Sequence, residues 1–148
     1  MRGPLLKVLR ADEGVHFNVF GSAVTYKATA EDTAGAFSLA IETTPPGAGL
    51  PLHIHHREDE AMYILEGEYE IQCGDRTLRA DPGTFVFLPR DVPNRYENVG
   101  DKPGRFLHIT SPGGFEQVVA ETSRLLSAGH ADMQKVNDVA RDHGIDFV

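Results

Sequence analysis

Apolar and polar residues alternate in short runs over most of the chain, and Gly, Pro or Asp residues separate the runs. Alternation with a period of two is typical of strands that bury one face. No helical pattern of ten residues interrupts the runs before position 110, which favours a sandwich or barrel over a parallel α/β sheet. The pattern predicts strands at 15–20, 23–29, 36–43, 52–55, 60–65, 69–73, 76–78, 84–88, 94–99 and 105–110.

The C-terminal third has a different periodicity. Apolar residues at helical spacing predict one helix between the break at 111–114 and Gly129, and a second helix that ends near Gly144. We expect both helices only to cover the barrel or its edge, because neither carries an active-site motif. The chain is therefore interpreted as one domain over 1–148, with a barrel at about 15–110 and a helical segment at about 113–148.

Composition and charge narrow the classes of partner. The net charge of −8 argues against a nucleic-acid partner, which would require a basic surface. No run approaches the roughly 20 apolar residues of a membrane helix. The N-terminal apolar residues are interrupted by Lys7 and Arg10, unlike a signal peptide, which predicts a cytoplasmic protein. The single cysteine, Cys73, excludes an intramolecular disulfide and is interpreted as a small core residue.

A candidate metal site lies at the centre of the strand region. His53 and His55 are two residues apart in a predicted strand, so their side chains project from the same face. A charged turn follows, and the next strand begins at Glu60. Two imidazoles and a carboxylate on one face are the ligands of a facial triad, which suits Fe(II) and leaves coordination positions open.

Other residues compete for roles near this site. The histidines can also be interpreted as surface polar groups. Glu58 shares a strand face with Glu60 and is the main rival ligand, whereas His56 is expected to face the other way. His108 can replace a missing imidazole if it faces inward, although a hydrogen-bonded core histidine is the expected role. Aromatic residues in the strands are expected to be core residues rather than a substrate platform: Tyr63, Phe85, Phe87, Tyr96 and Phe106.

The spacing around these residues resembles the cupin superfamily. Gly47, five residues, His53-x-His55, four residues, Glu60, six residues and Gly67 match the first cupin motif in full. The second motif is matched in part, by Gly83, Pro89 and Asn98. The resemblance covers about 15–110, and the C-terminal pieces look like small single-domain cupins similar to quercetin-dioxygenase-type proteins. It implies an all-β fold, the cupin double-stranded β-helix or jelly-roll barrel, with C-terminal helices.

The second motif departs from the family at two positions. Asp91 stands where the family has glycine, and Asp accepts a positive φ more readily than most residues. Asn94 stands where the family has its fourth metal ligand. An amide oxygen is a weaker donor than imidazole for a transition metal. The site is thus a three-ligand triad, a four-ligand site of lowered affinity, or a degenerate pocket.

Three functions follow from the resemblance. The first is a metal-dependent oxygenase-like enzyme, or a related lyase, cyclase or isomerase, acting on a small organic molecule. His53, His55, Glu60 and Asn94 would hold a divalent transition metal, with Fe favoured over Mn, Ni, Co, Cu and Zn, and Glu60 can alternatively act as a catalytic base. The second is a non-catalytic protein that binds a small ligand. The third is a structural homodimer, and dimerisation is compatible with either of the others.

Overall fold

Two antiparallel sheets form the molecule, and a helical segment follows them. The computed structural model describes residues 3–129 and 132–148. The helices are α1 (Phe115–Ser127) and α2 (Met133–Asp142). The strands are β1 (Val15–Val19), β2 (Ser22–Ala28), β3 (Ser38–Thr44), β4 (Gly49–His55), β5 (Asp59–Glu66), β6 (Tyr69–Cys73), β7 (Arg76–Ala80), β8 (Phe85–Leu88), β9 (Asn94–Asn98), β10 (Gly104–Ser111) and β11 (Ile145–Phe147).

Strands that are neighbours in a sheet are often not consecutive along the chain. One sheet has the order β1-β2-β3-β10-β5-β8, and the other has the order β11-β4-β9-β6-β7. Consecutive strands β4 and β5 therefore belong to different sheets, and the turn between them joins the two layers. This is the all-β jelly-roll architecture with C-terminal helices that the sequence predicts.

The core lies between the two sheets. Strand alternation directs one face of each strand inward, and the largest cluster of buried side chains comes from both sheets. A second cluster lies between β2, β3 and α1, and includes Val24, Tyr26 and Val119. The main cluster consists of Met62, Ile64, Tyr69, Ile71, Ala80, Val86, Leu88 and Phe106.

Of the five aromatic residues that the sequence analysis expects in the core, two lie there. Tyr96 and Phe106 lie in the interior, where their rings stack edge to face at 5.1 Å. Tyr63, Phe85 and Phe87 are exposed by 44%, 63% and 56%. They project from the outer face of β5 and of the edge strand β8, which nothing in the described chain covers. Cys73 is half-buried and packs against the main core cluster.

Tight turns and close approaches fix the residues that frame the site. Asp91 has a φ of 65°, so Asp replaces the family's glycine in the left-handed region, and its N–H donates to the carbonyl of His55 at 2.8 Å. At Gly49, a Cβ atom would lie 2.0 Å from the carbonyl oxygen of Tyr96. Only glycine therefore allows β4 to approach β9 this closely.

The C-terminal segment forms two helices and an additional strand. Asp132 caps α2 by accepting the backbone N–H groups of Gln134 and Lys135. After α2 the chain forms β11, which the sequence analysis did not predict. This strand pairs with β4, so that Ile145 lies opposite His55 and Phe147 opposite His53. Among the described residues, no helix is long and apolar enough to cross a membrane.

Candidate metal centre and cavity

His53, His55 and Glu60 converge at one point between the sheets. The two histidines lie on the inward face of β4, and Glu60 lies near the start of β5, after the turn that connects the layers. The three side chains are buried, with exposures of 1%, 2% and 5%. One ligand atom from each lies within 4.8 Å of the other two. The geometry thus brings together the three residues that the sequence predicts as the core of a metal site.

Hydrogen bonds set the tautomers of both imidazoles. His53 donates its Nδ1–H to the carbonyl oxygen of Pro51 at 2.8 Å, and His55 donates its Nδ1–H to Glu58 Oε1 at 2.5 Å. In a neutral imidazole that donates from Nδ1, the Nε2 atom carries the lone pair and is the ligand atom for a metal. This arrangement, with the second nitrogen held by a carbonyl or carboxylate, is typical of metal-binding histidines.

The Nε2 atom of His55 is a buried acceptor without a hydrogen bond in the described chain. It lies 3.2 Å from Glu60 Oε1, and no hydrogen bond joins the two atoms. Buried polar atoms are nearly always satisfied, so an unsatisfied nitrogen beside a carboxylate indicates a missing partner. A divalent cation fits this requirement, because it neutralises the carboxylate and accepts the lone pair.

Glu60 is ionised and held on two sides. His108 donates its Nε2–H to Glu60 Oε2 at 2.7 Å, and Asn94 donates its amide N–H to Glu60 Oε1 at 3.1 Å. Burial alone would raise the pKa of Glu60, but the hydrogen bond from His108 and the neighbouring histidines lower it to about 2. Burial lowers the pKa of His53 to about 4. At neutral pH the centre therefore offers a carboxylate and a neutral imidazole, as a metal requires.

The rival ligands occupy other positions. Glu58 is the hydrogen-bond partner of His55, on the side of the ring away from Nε2. His56 is exposed on the outside, where it contacts Asp91 and Asp146. His108 faces inward and is both a buried hydrogen-bonded histidine and a member of the cavity wall.

Asn94 lies beside the centre, opposite His53 in the pairing of β4 with β9. It is 2% exposed, and its amide N–H is committed to Glu60. The role of Asn94 as a fourth ligand remains a prediction. The final motif residue, Asn98, has a structural role, since its amide group holds the 98–104 loop through Lys102 and Gly100.

A cavity of about 70 Å³ opens beside this donor cluster. The polar residues of its wall are Tyr26, Glu42, His53, His55, Tyr96, His108 and Thr122. The remaining wall is almost entirely apolar and comes from β1, β2, β4, both helices and β11. The helices were expected only to cover the barrel, and this expectation is wrong in one respect. Their apolar faces also form the cavity wall, through Phe115, Val118, Val119, Thr122, Val136 and Ala140.

Glu42 and Tyr96 form a second polar feature of the cavity. The sequence analysis did not select Glu42 and assigned Tyr96 to the core. Tyr96 donates its hydroxyl hydrogen to Glu42 Oε1 at 2.5 Å. Burial raises the pKa of both groups, that of Tyr96 well above its usual value.

Comparisons with known proteins agree with the fold. The family model of the cupin domain matches residues 40–110, and this matched segment contains all three donor residues. Polyketide synthase CurC of Streptomyces cyaneus is 37% identical over 82 residues, which cover 54% of this chain and 51% of CurC. The chain thus spans about half the length of that relative.

Solved structures show the same fold. The polyketide cyclase RemF of Streptomyces resistomycificus has a TM-score of 0.63 at 23% identity, covering 72% of this chain and 80% of RemF. An RmlC-like cupin from Shewanella frigidimarina has a TM-score of 0.66 at 14% identity, covering 78% of this chain and 99% of that protein. At these identities the likeness establishes the jelly-roll fold of the chain.

Proposed function

We propose that this chain is a metal-dependent cupin enzyme that acts on a small organic molecule with an apolar ring or chain, by cyclisation or isomerisation. The observation that carries the proposal is the juxtaposition of a three-donor metal centre with a largely apolar cavity. An apolar pocket with a few convergent polar groups is the usual form of a small-molecule site. The similarity to the polyketide synthase CurC and the polyketide cyclase RemF supports a polyketide as the substrate class.

His53, His55 and Glu60 would hold the ion, the histidines through Nε2. A bound divalent metal supplies Lewis-acid polarisation of a substrate carbonyl. The chain's own residues complete the site. His108 and Glu58 fix the orientation of Glu60 and His55, and the apolar wall orients the substrate and excludes water from it.

Oxygenase chemistry is the second candidate. Two histidines and one carboxylate form the ligand set that suits Fe(II) and leaves positions open for oxygen. The resemblance to quercetin-dioxygenase-type cupins supports the same reaction class. A non-catalytic ligand-binding role is the alternative if neither reaction occurs, and the expected homodimer is compatible with all three.

Metal content is the first test. Elemental analysis is made on untagged protein purified without chelator, on a His53→Ala/His55→Ala double variant, and on His16→Ala as an exposed-histidine control. We expect near-stoichiometric metal in the wild type and the control, and none in the double variant. A wild type that contains no metal and takes up none from solution would refute the metalloenzyme proposal.

Turnover distinguishes the two reaction classes. The metal-loaded protein is incubated with a linear poly-β-ketone thioester, with and without oxygen, and the masses of the products are measured by mass spectrometry. Cyclisation predicts loss of water from the substrate at equal rates in both atmospheres. Oxygen consumption with addition of oxygen atoms to the product would instead establish the oxygenase. A loaded protein that binds the substrate unchanged would leave the ligand-binding role.

A further inference from the structure

Glu42 is a carboxylate at an interior position of the six-stranded sheet. Along β3 the inward residues are Ser38, Ala40, Glu42 and Thr44, and Glu42 is 8% exposed. Its neighbours across the sheet are Val24 on β2 and Phe106 on β10, both buried and apolar. No Lys or Arg faces Glu42 from the adjacent inward positions of these strands, and the cationic group near it is His108, two residues from Phe106 on β10. The side chain nevertheless reaches the wall of the cavity.

The contacts of Glu42 leave it incompletely satisfied. Over residues 3–129 and 132–148, its side chain makes one hydrogen bond, from the hydroxyl of Tyr96, and no ion pair with Lys or Arg. A carboxylate has about four acceptor positions, so most of its capacity is unused. Burying a carboxylate with so few partners costs free energy, which a purely structural role does not explain.

The titratable groups around Glu42 come from five other strands. They are Tyr26 on β2, Glu60 on β5, Tyr69 on β6, Tyr96 on β9 and His108 on β10. Burial raises the pKa of Glu42, and the proximity of Glu60 adds to this rise, while His108 and the hydrogen bond from Tyr96 oppose it. Glu42 is therefore a stronger base than an ordinary carboxylate, and it lies in the wall of the same cavity as the metal centre.

We propose that Glu42 is a catalytic residue that exchanges a proton with the substrate in the cavity, and that Tyr96 is the residue that positions it. The inference rests on the proposed function for the kind of substrate, a carbonyl compound with an acidic C–H bond. In the step, that C–H bond breaks, and its proton forms an O–H bond with the carboxylate of Glu42. The electron pair stays on the substrate as an enolate. The proton later returns from Glu42 to the substrate or product, so no oxidant or reductant is needed.

The test measures proton transfer directly. Ethyl benzoylacetate, an aromatic β-keto ester, is the probe, and exchange of its acidic hydrogens for deuterium in D₂O is followed by NMR with metal-loaded protein. The variants are Glu42→Gln, Glu42→Asp and Tyr96→Phe. Glu66→Gln is the control, because Glu66 is an exposed carboxylate paired with Arg105 on the outside. Metal content and melting temperature are measured for each protein.

We expect wild type and Glu66→Gln to accelerate exchange above the uncatalysed background. Glu42→Gln should lose about 10²-fold of this rate, while its metal content is unchanged and its melting temperature is equal or higher. Glu42→Asp should restore part of the rate, and Tyr96→Phe should lower kcat more than it raises KM.

Three results would overturn the inference: no catalysed exchange by the wild type, exchange by Glu42→Gln at the wild-type rate, or a lower melting temperature in Glu42→Gln without recovery of the rate in Glu42→Asp. The last would assign Glu42 to folding. If exchange depends on Glu42 but the poly-β-ketone is not cyclised, the proposed cyclisation is refuted and the role of Glu42 in proton transfer stands.

Discussion

His108 donates its Nε2–H to Glu60 Oε2 across 2.7 Å, and both side chains are buried. The two residues lie on adjacent antiparallel strands, where Thr110 pairs with Glu60 and His108 with Met62. The contact is therefore a diagonal pair on the inward face of the sheet. It fixes one oxygen of the carboxylate, so that the other is directed towards the Nε2 atom of His55.

Replacing His108 should weaken metal binding without abolishing it. In His108→Leu the carboxylate of Glu60 loses a charge-assisted hydrogen bond and gains freedom to rotate. We expect metal affinity to fall by about 10–100-fold, as for other residues that orient ligands. Competition with a fluorescent chelator measures the affinity. His108→Gln, which retains an N–H donor, is the matched variant and should recover most of the loss. Equal affinity in wild type and His108→Leu would contradict the assigned role.

One pair of isosteric substitutions can distinguish the roles of Glu58 and Glu60. Glu58→Gln keeps an amide oxygen that accepts the Nδ1–H of His55, so the tautomer is preserved and metal affinity should fall less than tenfold, on the order of 1 kcal/mol. Glu60→Gln removes the charged ligand itself, and we expect metal content after dialysis to be close to zero. Elemental analysis of the two proteins side by side gives the answer. If Glu58→Gln loses its metal and Glu60→Gln retains it, Glu58 is the ligand.

Asn94→His should raise the affinity for zinc or iron. Asn94 is buried, lies opposite His53 and contacts Glu60, so its side chain is beside the donor cluster. Imidazole is a stronger ligand than an amide for these metals. Isothermal titration with Zn²⁺ compares wild type, Asn94→His and Asn94→Ala. We expect the histidine variant to bind most tightly and the alanine variant most weakly, because alanine also releases Glu60. A histidine variant that binds no better than alanine would show that this position does not reach the ion.

The sequence identifies the cluster of His53, His55 and Glu60 because strand parity and motif spacing both apply there. Residues at i and i+2 of a strand share a face, so His53 and His55 are placed together without knowledge of the fold. Glu60 follows from the short turn. The parity argument fails for His108, since it does not say which face of β10 is inward. A register shift between Arg105 and Phe106 also interrupts the pairing of β10 with β5.

Glu42 could not be found from the hydrophobic pattern. In β3 the apolar residues Leu39 and Ile41 favour burial of the face opposite Glu42. The structure has the reverse arrangement: Ala40 and Glu42 are buried, and Leu39 and Ile41 are only half-buried. A buried carboxylate on the less apolar face of its strand is a local conflict between pattern and fold, and such conflicts concentrate at functional sites. The strand β11 was missed because three residues at the end of a chain carry no periodic signal.

Acidification should destabilise the metal-free protein over the pH range that the shifted pKa of His53 sets. The pKa of His53 falls from 6.5 to about 4 on burial, so between these values the unfolded chain binds more protons than the folded chain. Stability is then lost as the pH falls from 6.5 towards 4, by up to about 3 kcal/mol. Glu60, with its pKa lowered to about 2, adds a further loss below 4.5. Against the opposing effect of burial, the hydrogen bond to Glu60 holds the pKa of His108 raised, so the contribution of His108 to stability is lost as the pH rises above 6.5 and not as the pH falls.

Urea denaturation of chelator-treated protein at pH 7, 5.5 and 4.5 measures this dependence. In His53→Asn the side chain retains an N–H donor for the Pro51 carbonyl but has no titrating group. We therefore expect a smaller loss of unfolding free energy in this variant between pH 7 and 4.5. His16→Asn, at an exposed position, should behave as the wild type. Equal slopes in wild type and His53→Asn would mean that the acid sensitivity arises outside the metal centre.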